Sequence, residues 1–426
     1  MPRRILPSPR AALAILTGLN FLNYVDRFIP AAVMPAIIAT LHLKDSQAGS
    51  LSTLFILSYS LVSPVAGWLA DRKPRFQLAA IGVFVWSLAT FGSGLAPTFL
   101  ALVVARALTG VGEASYVVIT PSLVSDYYPP ARRGRALATF YAAIPVGSAL
   151  GYVLGGAINA RFGWRWAFFL AGAPGAALAF ALLFLRDPPR GGMDIPEGSG
   201  VAPGGASRHA PQPASPPSPP SLGALLRIPS FLFNTAAQII YTFVVGGLAT
   251  WMPTYFVRVR HLPLASADLM FGGVLAAAGL VGTLIGGRVG DRLAARHPSG
   301  HFLLAGMSLL LSVPFAVVGI VAPSPAIFWP AMFVALTLLF LNTGPLNAAM
   351  ANVLPAQLRG WGFAMNTMAI HLLGDAASPT VIGVASDRIG LKLPVLLTVT
   401  LPFLAGLVLL AGRSALARDL ARSGAR

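Results

Sequence analysis

The sequence predicts an all-α membrane protein with twelve transmembrane helices in two pseudo-symmetric bundles of six. Composition is the first observation behind this. Of 426 residues, 56% are hydrophobic and 10% charged, whereas a soluble globule is about a quarter charged; the mean hydropathy is +0.73. The second observation is a series of twelve apolar segments, near residues 11–41, 47–70, 76–96, 98–125, 135–160, 164–185, 230–257, 265–287, 302–322, 326–353, 360–386 and 392–412. Roughly 20 apolar residues span a bilayer as a helix. Only helices or closed barrels satisfy their backbone in lipid, and these lengths are helical.

The third observation is an internal repeat. Gly67-Trp-Leu-Ala-Asp71-Arg72 ends the second segment and Gly287-Arg-Val-Gly-Asp291-Arg292 the eighth, 220 positions later. Gly156-Ala-Ile-Asn-Ala160-Arg161 ends the fifth and Gly383-Val-Ala-Ser-Asp387-Arg388 the eleventh, 227 positions later. The second half therefore reads as a copy of the first. Helices two and five run in opposite directions, giving the nested inverted repeats of secondary transporters. Between the copies, Asp187–Ser221 holds ten prolines and six glycines, a composition that cannot bury a core. The expected division is a first bundle over 1–186, a linker over 187–224 and a second bundle over 225–426.

Basic residues set the topology. Arg3, Arg4 and Arg10, the turn at Arg72, Lys73 and Arg75, the group Arg132, Arg133 and Arg135, the group Arg288, Arg292 and Arg296, and the tail from Arg413 all fall on one side. The other side carries only Lys44, Arg161, Arg165, Arg258, Arg260, Arg388 and Lys392. Cytoplasmic loops collect Lys and Arg, so both termini are expected in the cytoplasm. The net charge of +17 then reflects topology, and no nucleic-acid partner is expected. No cysteine is present, which rules out disulfides and thiolate metal sites. Met1–Arg10 and the following run resemble a signal peptide, but the run is too long, is charged and lacks a small-residue cleavage site.

Charges inside the apolar segments mark the functional site, because at that depth they are costly unless paired or facing an aqueous cavity. The first segment contains Asn20-Phe-Leu-Asn23-Tyr24-Val-Asp26-Arg27. Asn20, Asn23 or Tyr24, and Arg27 recur at helical spacing and are expected to line a cavity. Arg27 would meet an anionic headgroup, while Asp26, about 100° around the helix, turns toward the fourth helix. That helix holds Arg106-Ala-Leu-Thr-Gly110-Val-Gly112-Glu113-Ala-Ser-Tyr116, which places Arg106, Glu113 and Tyr116 near one face. A carboxylate caught between desolvation and nearby arginines can carry a coupling proton. In the eleventh helix His371 and Asp375 are four apart, close enough to hydrogen-bond and join the coupling network. Asn342 and Asn347 of the tenth helix face the same cavity in this reading.

Gly67-x-Leu69-Ala70-Asp71-Arg72-Lys73-Pro74-Arg75 resembles the loop signature of the major facilitator superfamily, with Pro74 in place of the usual glycine. The resemblance implies the major facilitator fold. It also implies a gating role for Asp71, Arg72 and Arg75, and by repetition for Asp291 and Arg292, in which the aspartate interacts with a neighbouring helix dipole. Asn23-Tyr-Val-Asp26-Arg27, Gly110-Val-Gly-Glu113-Ala-Ser-Tyr116, Ala143-Ile-Pro145-Val-Gly-Ser148-Ala-Leu-Gly151-Tyr152, Arg186-Asp-Pro-Pro-Arg190-Gly191, Asn342-Thr-Gly-Pro345-Leu-Asn347-Ala and His371-Leu-Leu-Gly-Asp375-Ala are similar to the spinster-like branch. That resemblance implies proton-coupled transport of an amphiphile such as a lysophospholipid or sphingosine 1-phosphate. The resemblance makes Asp26, Arg27, Arg106 and Glu113 the central charged site; taken together with the helical spacing, substrate contacts are expected at Arg27, Arg106, Asn23, Tyr24, Tyr116 and Asn347, and proton coupling at Asp26, Glu113, His371 and Asp375. The first-helix motif also occurs in organic-anion symporters, so small organic or sugar acids are the alternative cargo.

An enzyme or sensor is not expected: phosphate-loop, zinc-protease and serine-hydrolase motifs are all missing from the sequence. No cofactor beyond the coupling proton is expected. Of 30 basic lysine and arginine residues only three are lysine, a bias of GC-rich bacterial genomes. The expected setting is a bacterial inner membrane, with the chain acting as a monomer in the bilayer.

Overall fold

A computed structural model of the chain describes residues 5–190, 193 and 222–423. Among these, the only β pairing is one isolated bridge, Ile5 to Leu185. Eleven helices are long and apolar enough to cross a membrane, and a bent pair supplies a twelfth span. We number the spans α1 (Pro9–Ala32 with Met34–Leu41), α2 (Asp45–Arg72), α3 (Arg75–Leu95), α4 (Phe99–Tyr127), α5 (Arg132–Phe162) and α6 (Trp164–Leu182) in the first half. The second half has α7 (Pro229–Arg258), α8 (Leu264–Arg296), α9 (Gly300–Val321), α10 (Pro325–Val353), α11 (Trp361–Ile389) and α12 (Lys392–Arg422). The bend in α1 is 51°. Pro30 lies within its first part and a proline opens the second, where a missing N–H and ring bulk interrupt the helix.

The halves repeat each other's packing. In the first, α3 lies against α4 and α6, α2 against α4, and α1 against α5. In the second, α9 lies against α10 and α12, α8 against α10, and α7 against α11. Each pair maps onto its counterpart by a shift of six helices, as two copies of one bundle require. The sequence placed the linker at 187–224, but its first residues are anchored. Asp187 accepts hydrogen bonds from the backbone N–H groups of Arg75 (2.5 Å) and Phe76 (2.9 Å), capping α3. Arg190 donates to the carbonyls of Ala70, Asp71 and Lys73. Residues 191–192 and 194–221 lie outside the described residues.

Between halves, the main contacts are α5 on α8 and α2 on α11. Small residues allow the second approach: a Cβ on Gly49 would strike the Pro379 carbonyl, and one on Gly383 the Asp45 carbonyl. At the face opposite the termini the closure is polar as well. Arg258 of α7 pairs with Asp45 at 2.6 Å, and the Ser386 hydroxyl donates to Asp45 at 2.6 Å. Asp387 accepts from the N–H groups of Asp45 (2.8 Å) and Ser46 (3.2 Å), so α11 caps α2 across the interface. Toward the terminal face, the residues of α5 up to Tyr141 and those of α11 up to Ile370 pack chiefly within their own halves. The molecule is shut on one side and parts on the other.

Candidate functional site: a buried charge cluster beside an apolar cavity

Four charged side chains converge inside the first half. Arg27 of α1 donates through Nε (3.1 Å) and Nη2 (2.7 Å) to one oxygen of Glu113 on α4. Asp26 accepts from the Thr90 hydroxyl at 2.6 Å. It thereby bonds α3 while lying within electrostatic range of Arg106 and Glu113 on α4, the helix its angle pointed to. Arg106 lies within electrostatic range of Asp26, Glu113 and Arg27, and its Nε and Nη1 have no hydrogen-bond partner. The cluster is formally neutral, two arginines against two carboxylates. Its second Glu113 oxygen and one Asp26 oxygen are also unpartnered.

Exposure separates these four groups. Glu113 is 0% exposed, Asp26 1% and Arg106 3%, whereas the Arg27 side chain is 22% exposed. Arg27 thus stands between water and the carboxylate. Aromatic rings hold it there: its guanidinium lies 5.0 Å from the Tyr24 ring centroid, 5.2 Å from Phe55 and 5.1 Å from Tyr59, within cation–π range. The Arg106 guanidinium lies 4.5 Å from the Phe55 ring centroid. It is not open to a substrate in this conformation.

The second half contributes His371 and Asp375, paired at 2.9 Å as their spacing suggested. They lie on a π-turn, His371–Asp375, which their sequence does not announce. The Ala376 N–H bonds His371 O at 3.0 Å, and the Thr242 hydroxyl of α7 donates to Ile370 O at 3.1 Å. Tyr59 connects the two halves: its ring is 6.3 Å from that of His371 on one side and near Arg27 on the other. Phe55 and Tyr59 escaped the sequence reading because two aromatics four apart in an apolar helix look like ordinary core.

Several expected contacts are corrected. Asn23 is fully buried with both amide atoms unpartnered, and Asn20 donates to Phe140 O at 3.0 Å. Both face the bundle interior, so of that stripe only Tyr24 lines the cavity. Tyr116 is also fully buried; its hydroxyl donates to Leu16 O and its ring meets Trp86 edge-on, fastening α4 to α1 and α3. Asn342 is buried and donates to Leu339 O. Asn347 is exposed and donates to Thr343 O at 2.9 Å.

At the terminal face, the helix N-terminus expected to meet Asp71 is capped by Asp187. The Asp71 side chain is exposed, with no bond or ion pair among the described residues. Arg75 is buried and pairs with Asp126 at 2.5 Å, whereas Arg72 folds onto its own helix, over Trp68. Asp291 and Arg292 are exposed. The aspartate of the repeat that does cap a helix is Asp387, on the other face.

A cavity of about 580 Å³ opens beside the cluster. Tyr24 and Phe28 of α1 with Tyr141, Ile144, Pro145 and Ser148 of α5 form its first-half wall, and α7 to α10 with α12 form the rest, including Tyr241, Phe271 and Leu336. Its lining is overwhelmingly hydrocarbon, and it is large enough for a drug-sized or single-chain amphiphile.

Comparison with known proteins places this geometry in context. Residues 16–379 match the Major Facilitator Superfamily. Protein spinster homolog 1 of Homo sapiens is 36% identical over 404 residues, covering 89% of this chain and 74% of that one. The sphingosine-1-phosphate transporter SPNS2 of Danio rerio is 32% identical over 399 residues, covering 90% and 77%. Among solved structures, a bacterial homolog to the human lysosomal transporter spinster, inward-facing and unoccupied, superposes with TM-score 0.83 at 22% identity, covering 97% of this chain and 98% of that one. A D-xylose-proton symporter superposes with TM-score 0.70 at 14% identity, covering 93% and 96%.

Proposed function

We propose, from the premise that this chain belongs to the major facilitator superfamily as a transporter of the spinster type, that it moves a single-chain amphiphilic anion, such as a lysophospholipid or sphingoid phosphate, in exchange for or together with protons. One observation carries the reading. Arg27 is the water-reaching member of an otherwise sealed charge cluster, and its guanidinium lies 5.0 Å from the ring centroid of Tyr24, which lines the apolar cavity. An arginine offers a planar fork to phosphate or carboxylate, and the cavity offers hydrocarbon to a chain. The name of the zebrafish relative, a sphingosine-1-phosphate transporter, agrees with such a cargo.

The coupling follows from competition. Glu113 and an incoming headgroup need the same guanidinium. When the headgroup takes Arg27, Glu113 is left buried without its cation, and a proton replaces it. When the proton leaves, the carboxylate reclaims Arg27 and expels the headgroup. Tyr59 carries the arrangement of this pair to His371 and Asp375 in the second half. The distribution of basic residues supports a cytoplasmic terminal face, and on that reading the present conformation opens inward. The proposed setting is a bacterial inner membrane, with the protein acting as a monomer and needing no cofactor beyond the proton. Asp126–Arg75 and the capped α2–α3 turn take the gating part at the terminal face, together with Asp71.

The test is thermal stabilisation of the purified protein by lysophospholipids, sphingoid phosphates and small organic acids at two pH values, since a ligand of the folded state raises its stability with concentration. Stabilisation by the single-chain lipids, lost in Arg27→Ala, is the expected result. Stabilisation by small acids alone would transfer the function to an organic-anion symporter.

A further inference from the structure

Asp268 belongs to no part of the site just described. It lies in the second turn of α8, on the face packed against α5, and is 0% exposed. Among the described residues, neither carboxylate oxygen has a hydrogen-bond partner. From α5 it meets Gly156, where a Cβ would sit 2.6 Å from Asp268 Oδ2 and 2.9 Å from its Cβ. Tyr152, also on α5, lies within electrostatic range of it, but the Tyr152 hydroxyl is already committed to Ala249 O of α7 at 2.6 Å. No charged side chain of α7, α9 or α10 acts on it among the described residues.

Such an enclosure suits a neutral acid and not an anion. A bare carboxylate sealed from water, with neither donor nor cation, carries a penalty of several kcal/mol. Its location adds a second point: α5 against α8 is one of the two main contacts between the halves, beside the face held shut by Asp45, Arg258 and Asp387. Alternation of the halves must pull this contact apart and wet Asp268. An ionisable group buried at membrane depth is a candidate functional site on general grounds.

We propose that Asp268 is a second proton-binding site, held in the second half. It keeps its proton while α5 and α8 are closed and exchanges it with water on the face opposite the termini when they part. The step is a simple ionisation: the carboxyl O–H bond breaks, the electron pair stays on oxygen and the proton passes to water. Reclosure requires the reverse. The site is distinct from Glu113 in the first half, and the proposal rests on the alternation of the halves rather than on the cargo.

Where the open state ionises and the closed state does not, one linked proton raises the open-to-closed ratio about tenfold per pH unit. The chain lacks cysteine, so spin labels at Pro97→Cys and Pro323→Cys, exposed in loops of the two halves on that face, report opening directly. The full chain would be measured in nanodiscs in a Glu113→Gln background, between about pH 5 and pH 9, with infrared spectra of the same samples. The expected result is a population of long distances that grows with pH, together with a protonated-carboxyl band at low pH. Asp268→Asn should abolish the pH response, remove the Asp268 component of the band while buried Asp26 keeps its own, and favour the closed form. Gly156→Ala, whose methyl displaces Asp268, should open the face even at low pH. A protonated-carboxyl band left undiminished in Asp268→Asn, or a pH response that persists there, would overturn the proposal, as would a closed population unchanged by Gly156→Ala.

Discussion

Arg27 and Tyr116 show how differently two polar residues of one motif set can be used. Arg27 meets water and Glu113, while Tyr116 ends on a backbone carbonyl in the core. Tyr116→Phe should therefore cost about 1 kcal/mol of stability, the usual worth of one intramolecular hydrogen bond, and leave lipid binding unchanged; denaturation and binding assays check the two halves of that statement. Glu113→Gln imitates the protonated side chain. Anion binding should then lose its pH dependence, remaining strong at high pH where the wild-type carboxylate competes for Arg27; titration of ligand affinity at several pH values decides it. At this scale the sequence was informative wherever a charge fell inside an apolar run, as at Asp26, Arg27, Glu113, His371 and Asp375. It misjudged Asn23 and Tyr116 because periodicity groups residues on a helix face without saying whether that face meets a cavity or another helix. Asp268 is the exception: it falls inside the eighth segment but went unseen, because no second charged residue shares its run to make a pattern with it.

Among the elements, helix existence was legible and helix extent less so. Hydropathy ended the eighth segment at 287 and the twelfth at 412, but α8 continues to Arg296 and α12 to Arg422. Past the apolar run the helix still continues where the sequence is rich in Arg, Leu and Ala, all good helix formers. The π-turn at His371–Asp375 has no composition of its own, and the cap of α2 by Asp387 joins residues more than 300 positions apart. That cap makes a prediction. Asp387→Ala removes an N-cap made only in the closed form, worth about 1 kcal/mol, so the population open on that face should rise roughly fivefold. Label distances across that face would measure it, and an unchanged distribution would remove Asp387 from the closure.

For the whole molecule, the cavity sets a preference for cargo length. Each methylene moved from water into hydrocarbon contributes about 0.8 kcal/mol, close to a fourfold gain in affinity. Lysolipids of increasing chain length should bind progressively better until the volume of about 580 Å³ is filled, and then level off. A series of homologues measured by calorimetry gives both the slope and the plateau. The pairing of equivalent helices through a shift of six was readable in advance from the repeated Gly-to-Arg motifs. Which side stays shut was not, since it depends on contacts between residues at helix ends, such as Asp45 with Arg258.

The cavity also divides its labour unevenly. The arginine–carboxylate cluster belongs wholly to the first half, while most of the hydrocarbon wall belongs to the second. Two copies of one ancestral bundle have thus specialised, one as an electrostatic machine and the other as a mould. Cargo choice can drift in evolution through the mould while the machine stays fixed, and an exchange of second halves between relatives should transplant the taste for a particular tail without rebuilding the engine.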